Sequence, residues 1–383
     1  LSTGESGKGL LTGSGTGRDT IHLAGPRPSQ TRCGRAGRLR LASRFTRRGD
    51  SGETADTKSG TSTHNMTILL TGASGFLGRR VLKQLGGRPL RLLVLPDDPA
   101  LPELQKCAQV IIGDVTRPQS LPPALEGVTQ VVHLAGYVNG GRGPAETFMT
   151  INAQGTANLA QAAKEAGVAH LIYTSSITVY GYVSDATEST PLVSTPGYPA
   201  SKIHAEQVLR QLLPTQTTIL RLPLVLGAGD AGFMCPALRG FRQAGRVILI
   251  GSGRVPWSVL AVSDAARAIT LCLDKLETRG STYNVLGETI TNGALLRAIG
   301  AEANCAQETR LPYVIAWAVA ALAELANREG LTRAQARALS QPLSMNGARF
   351  AQLGFAPKIG WREALAQATD WCTETQGGSV QGR

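Results

Sequence analysis

Thr71-Gly72-Ala73-Ser74-Gly75-Phe76-Leu77-Gly78 is the stretch that decides the fold. It follows an apolar run, residues 66–70, that reads as a buried parallel strand, and it precedes a helical stretch, residues 79–85. Strand, glycine-rich turn and helix in that order are the context in which a dinucleotide's pyrophosphate is held. The spacing Gly72-x-x-Gly75-x-x-Gly78 is wider at the front than the common GxGxxG. Its physical task is the same: a turn without Cβ, a backbone that can approach a phosphate, and a helix N-terminus aimed at that charge. The expected contacts are Gly72, Ser74, Gly75, Phe76, Leu77 and Gly78.

Working outward, short apolar runs alternate with helical periods, which is the pattern of a parallel sheet wrapped by helices. Candidate strands lie at 67–70, 91–95, 109–112, 130–134, 170–174 and 218–222, enough for a doubly wound sheet of the α/β class. Between the fourth and fifth, residues 147–166 have helical spacing and carry Asn152, Gly155 and Asn158. The regular alternation fades beyond Pro223. The expected division is a disordered basic tail at 1–65, a dinucleotide domain at 66–223 and a mostly substrate-binding domain at 224–375.

The chain has 383 residues, 42% of them apolar, and a formal net charge of +12. Eleven Lys/Arg against five acids place +6 of that charge in residues 1–65. The body is therefore only mildly basic, and a nucleic-acid partner is not expected. The leading segment is rich in Gly, Ser, Thr and Arg without apolar periodicity, so it buries too little surface to offset its ordering entropy. Translated sequence upstream of a start at Met66 is the expected explanation, with an organelle address or nucleic-acid-binding arm as alternatives. Cys33, Cys107, Cys235, Cys272, Cys305 and Cys372 are scattered singly without metal spacing. That pattern suggests a reducing cytoplasm and no metal. The longest uncharged apolar stretch, residues 311–323, is too short to span a bilayer and reads as a buried or lid helix, with peripheral membrane contact left open.

A second string, Tyr198-Pro199-Ala200-Ser201-Lys202, puts a phenol and an ammonium on one helical face at i and i+4. A free phenol titrates near 10, too high for proton exchange near neutrality, and a neighbouring ammonium, with the positive nicotinamide of an oxidised dinucleotide, is expected to lower it. Together with the glycine turn, this pair describes a redox enzyme with a small-molecule substrate.

Residues 66–371 resemble the extended short-chain dehydrogenases/reductases, the NAD-dependent epimerase/dehydratase family. The resemblance implies a Rossmann domain followed by a smaller C-terminal α+β substrate domain. It also implies that Tyr198 exchanges the proton and that Lys202 holds the nicotinamide ribose. The catalytic hydroxyl falls on Ser176, with Ser175 as the neighbouring alternative, and Asn152 matches the helix residue that supports the lysine. Asp114 and Val115 match the segment at the adenine, and His133-Leu134-Ala135-Gly136 the segment lining the cofactor's far side, with His133 a packing residue. NAD and NADP both remain open: the acid position after the second strand holds Val94 or Leu95. Asp97 and Asp98 read equally as ribose partners or a solvated turn, and Arg79 and Arg80 could favour a 2′-phosphate. Where sugar-nucleotide members carry a diphosphate-gripping Arg, this chain has Trp257. The implied substrate is a bulky, apolar alcohol or ketone, as in the dihydroflavonol reductase and 3β-hydroxysteroid dehydrogenase branch. A sugar-nucleotide epimerase or dehydratase is the alternative, and a non-catalytic NAD(P)-binding sensor or assembly factor comes after it. A homodimer is compatible with the resemblance.

Overall fold

The computed structural model describes residues 66–138, 143–325 and 331–377. The expected disordered tail at 1–65 lies outside the described residues. Strands β1 (Thr67–Thr71), β2 (Leu90–Val94), β3 (Gln109–Ile112), β4 (Val128–His133), β5 (His170–Ser176) and β6 (Thr217–Leu222) form one parallel sheet. Helices of eight or more residues are numbered along the chain. They begin with α1 (Phe76–Gln84), α2 (Gly155–Glu165) and α3 (Tyr198–Leu212). Beyond Pro223 come β7 (Leu224–Leu226), α4 (Met234–Ala244), β8 (Arg246–Ile250), β9 (Pro256–Ala261), α5 (Val262–Asp274) and β10 (Thr282–Asn284). Then follow β11 (Glu288–Thr291), α6 (Asn292–Glu302), β12 (Gln307–Leu311), α7 (Tyr313–Leu325), α8 (Arg333–Ser340) and α9 (Trp361–Gly377).

The large sheet has the order β10-β6-β5-β4-β1-β2-β3 and seven strands, one more than the alternation predicted. The seventh, β10, is only three residues long and pairs Thr282 with Ile219, so no run of alternating residues announces it. Strands buried on both faces need continuous apolar sequence, and Ile68, Leu69 and Leu70 supply it at the centre. One face packs Val81 of α1 and Leu85, at the C-cap of that helix, against Ala265, Ile269 and Leu273 of α5. The other packs Leu159 and Ala163 of α2 with Ala205 and Leu209 of α3. The strand order reverses between β1 and β4, where a crevice opens at the strands' C-terminal ends.

The helix expected at 147–166 is interrupted. A short helix, Ala145–Phe148, leads into a π-helical segment, Met149–Gln154, before α2 continues. Such bulges occur where a side chain must be re-aimed, and Asn152 lies in this one.

The smaller lobe holds a three-stranded sheet, β11-β9-β7, and a parallel pair, β12-β8, around Leu238, Leu249, Trp257, Leu295 and Leu365. Cys235 of α4 and Cys372 of α9 form a disulfide across 137 residues of sequence. A pair so far apart is invisible to spacing, and the cytoplasmic expectation, which rested on unpaired cysteines, loses that support. No helix among the described residues is long and apolar enough to cross a membrane. The apolar stretch expected as a buried or lid helix is α7, which buries only Ala316 and Ala320.

Candidate active site

The glycine turn is shaped by what a Cβ would strike. Gly72 has φ +72°, and a Cβ there would lie 2.7 Å from the Ala135 N atom. At Gly78 it would meet the Gly72 carbonyl outright. The first glycine thus permits the left-handed turn and brings the loops after β1 and β4 together, and the last lets α1 pack against that turn. Gly75 caps α1 without any side-chain hydrogen bond, so the helix N-terminus is presented to a ligand. This cradle fits a pyrophosphate.

Around the cradle, most side chains are already engaged. Ser74 Oγ donates to Asp98 Oδ2 at 2.6 Å, while Asp98 Oδ1 accepts the Ala100 N–H at 2.8 Å. Arg79 donates to the Ser74 carbonyl and to Glu103, at 2.9 and 3.2 Å, and so braces the turn. Phe76 reaches the smaller lobe, where its ring lies beside Gly229. Leu77 packs at the edge of the α1 core. At the end of β3, Asp114 Oδ1 accepts the Thr116 N–H at 2.8 Å in an Asx turn, and Val115 is buried against Gly155.

The loop after β4 hangs on Thr71. Its Oγ1 accepts the N–H groups of Leu134 and Ala135, at 3.2 and 3.1 Å, and pairs with His133 Nδ1 at 2.8 Å. His133 Nε2 in turn meets Thr156 Oγ1 at 3.0 Å. Burial, then the Lys202 charge, pushes the His133 imidazole down to about 3. A neutral ring, hydrogen-bonded at both nitrogens, ties β1, β4 and α2 together and does not take up a second proton near neutrality.

Asn152 clamps the same loop. Its Oδ1 accepts the Tyr137 N–H at 2.7 Å, and its Nδ2 donates to the Tyr137 carbonyl and Ser201 Oγ, at 2.9 and 3.1 Å. A Cβ on Gly136 would approach Asn152 Oδ1 to 3.0 Å, which is why the loop needs glycine there. Asn152 therefore joins the β4 loop to α3 one residue before Lys202.

Tyr198 and Lys202 both lie on the first turns of α3, as their spacing requires. Lys202 Nζ donates to the Thr174 carbonyl at 2.9 Å and lies 4.7 Å from the Tyr173 ring centroid and 5.8 Å from that of Tyr198. Burial lowers the Lys202 ammonium to about 8, opposed by the Glu206 charge. Burial also raises the Tyr198 phenol to about 12, opposed by a hydrogen bond with Ser176. The expected lowering of the phenol by Lys202 is thus not found: desolvation dominates.

Ser176 ends β5 with its Oγ accepting from Thr178 N and Oγ1, at 3.2 and 3.0 Å. Alternation along the strand turns Ser175 a different way, beneath α3 toward Glu206. The structure therefore groups Ser176, and not Ser175, with Tyr198. Trp257 is the larger correction. Expected among the substrate contacts, it is 5% exposed, packs by Phe233, and donates its Nε1–H to the Gln341 carbonyl at 3.0 Å. It is core: Trp257 lies between Ile290 of β11 and Leu343, and packs in the cluster with Leu238, Leu249 and Leu295.

One group went unread in the sequence. Glu206, one helical turn after Lys202, takes a two-pronged pair from Arg221 of β6: Nε–Oε1 2.9 Å and Nη2–Oε2 2.6 Å. Arg221 also donates to the Tyr180 hydroxyl at 2.7 Å, and that hydroxyl donates to Asn284 Oδ1. Burial alone would push the Glu206 carboxyl up, but Arg221 overrides it and holds the group below its usual range. The signal was the i+4 carboxylate, readable as a solvated helix position until β6 is placed beside it.

Residues 68–285 match the NAD dependent epimerase/dehydratase family. The chain belongs to that family, and so to the NAD(P)-dependent enzymes of the extended short-chain dehydrogenase/reductase type. It is 29% identical over 329 residues to a 2-alkyl-3-oxoalkanoate reductase of Stenotrophomonas maltophilia (strain K279a), covering 78% of this chain and 97% of the relative. It is 30% identical over 235 residues to an N-acetyl-alpha-D-glucosaminyl-diphospho-ditrans,octacis-undecaprenol 4-epimerase of Escherichia coli O157:H7, covering 60% of this chain and 69% of the relative. The fold is that of the Thermus thermophilus UDP-glucose 4-epimerase solved with NAD, with a TM-score of 0.63, 22% identity, and 80% and 99% of the two chains covered.

Proposed function

We propose that the protein interconverts a secondary alcohol and a ketone on a bulky, apolar substrate through Ser176, Tyr198 and Lys202. The observation that carries this reading is the convergence of those three side chains at the C-terminal end of β5, across the crevice from the Gly72–Gly78 turn. The turn would hold the pyrophosphate of NAD or NADP, Asp114 and Val115 would border its adenine, and the Leu134–Gly136 loop its far side. When bound, the cofactor supplies or accepts hydride. Tyr198 gives its phenolic proton to the carbonyl oxygen in reduction and takes it back in oxidation, with Ser176 fixing that oxygen by a hydrogen bond. Lys202 binds the nicotinamide ribose and keeps a positive charge under the phenol ring. Asn152 is a positioning residue, holding the Tyr137 backbone and Ser201.

The reductase relative, whose name carries a 2-alkyl chain, supports the apolar substrate. So does the exposure of Val138, Tyr182 and Val193 on the loops that follow β4 and β5. The undecaprenol-linked relative favours the alternative, an epimerase that retains the hydride through its cycle. The test is turnover of NADH and NADPH with a panel of 2-alkyl-3-oxo acids, ketosteroids and nucleotide sugars. Stoichiometric cofactor oxidation with an apolar ketone is expected. An epimerised nucleotide sugar with no net change in cofactor would replace this reading by the alternative.

A further inference from the structure

Helix α7 is built inside out. It sits on the smaller lobe through small residues, with Ala316 and Ala320 buried beside Ile250 and Ala336. Its large side chains point away: Val314, Ile315, Trp317, Val319, Leu322 and Leu325 are all exposed, Val314 by 72% and Leu325 by 85%. At 3.6 residues per turn these six occupy an arc of about 200°, against the stripe of about 100° that an ordinary surface helix turns inward. From Tyr313 to Ala323 the helix carries no charge.

The width of that arc bears on what covers it. A flat partner surface covers a stripe, whereas the boundary of a bilayer can take in an apolar ridge as wide as this one. The helix has 13 residues, about 20 Å, too short to cross a hydrocarbon core of about 30 Å and suited to lying along its boundary. Its foot has the composition of that boundary. Arg333 lies over the Trp317 ring at 5.7 Å while bonded to Glu324, and Arg337 lies over the Tyr182 ring at 5.2 Å. Aromatic rings beside cationic heads on long stems suit the headgroup level. Arg333 and Arg337 at this foot, on a body that carries +6 of the chain's net charge of +12, are complementary to anionic headgroups.

We propose that α7 seats the protein on a lipid bilayer surface bearing anionic headgroups, with the ridge from Val314 to Leu325 sunk into the boundary between headgroups and acyl chains. Tyr182 follows the Ile177–Tyr180 turn after Ser176, so the seated face adjoins the segment leading from the crevice. The inference does not depend on the substrate.

The test is co-sedimentation of the full chain with vesicles of phosphatidylcholine containing phosphatidylglycerol, beside the variant Val314→Ser/Val319→Ser/Leu322→Ser. The wild type is expected to partition onto the vesicles, and the variant about tenfold or more weakly, since three apolar contacts with the lipid are lost. Brominated acyl chains should quench tryptophan emission in the wild type, and most of that quenching should vanish in Trp317→Phe, a readout that survives if the triple variant folds poorly. Equal partitioning of wild type and triple variant, no partitioning of either, or quenching unchanged in Trp317→Phe would overturn the proposal. A vesicle-indifferent wild type that is dimeric and becomes monomeric in the triple variant would assign the ridge to a second copy instead.

Discussion

The two lobes bury polarity to different degrees, the smaller one hiding only scattered groups such as Asp230, Ser258 and Asn292. The sheet lobe buries Thr71, His133, Asn152, Lys202, Glu206, Arg221 and Asn284 around the crevice. The smaller lobe packs an apolar core, adds a covalent bridge, and leaves its most apolar helix outside. Buried polar groups are costly unless hydrogen-bonded, and in the sheet lobe these are bonded to partners on different elements. The effect is geometric: β1, β4, β5, β6, the π-helical segment and α3 are fixed relative to one another where a proton must be exchanged. The smaller lobe has no such demand, so its surface is free to serve contact.

The comparison breaks most decisively at Tyr198. Tyr198→Phe should lower kcat by about 10³-fold while changing cofactor affinity by only a few-fold, because it removes the proton and little binding surface. A kcat close to wild type in steady-state assays would show that the buried polar network serves stability alone. Glu206→Gln is the next largest. It leaves Arg221 buried without its carboxylate and should cost about 3–5 kcal/mol in urea unfolding. A loss below about 1 kcal/mol, the scale of an exposed pair, would place the pair outside the packed lobe.

In the smaller lobe, Cys372→Ser should cost about 2–4 kcal/mol under oxidising conditions, and the difference from wild type should close when reductant is added. Identical melting of the two proteins without reductant would show that the bridge contributes nothing. Acid provides the finest probe. The His133 imidazole titrates at about 3 when folded, but near 6.5 when unfolded, so between those values the unfolded chain binds more protons and stability falls as pH falls. By pH 5 this should amount to about 2 kcal/mol, with the folded imidazole still neutral by NMR. A folded-state titration near 6.5 would remove His133 from the buried network.

The central strands and the glycine turn were legible in the sequence because each is a local pattern: an apolar run, a spacing, a helical period. Tyr198 and Lys202 were legible for the same reason, being one turn apart. What escaped needed distant segments to meet. Glu206 becomes a buried anion only when Arg221 arrives from β6, and Cys235 finds its partner in α9. Trp257 was misplaced because its neighbours along the chain gave no sign that Ile290 and Leu343 would enclose it. The exposure of α7 was hidden too, since an apolar run has no sign of which side the small residues will face.

The seventh strand has a consequence for any attempt to dissect the molecule. The chain leaves the large sheet after β6, returns from β9 into α5 and β10, leaves again for β11, and comes back with Phe350 and Phe355 against the α1 face. A fragment ending at Pro223 would lack the strand beside β6 and the helix that shelters Val81 and Leu85. The lobes are therefore interlaced and not serial modules, and transplanting a substrate lobe from a relative would require several coordinated inserts and not a single junction.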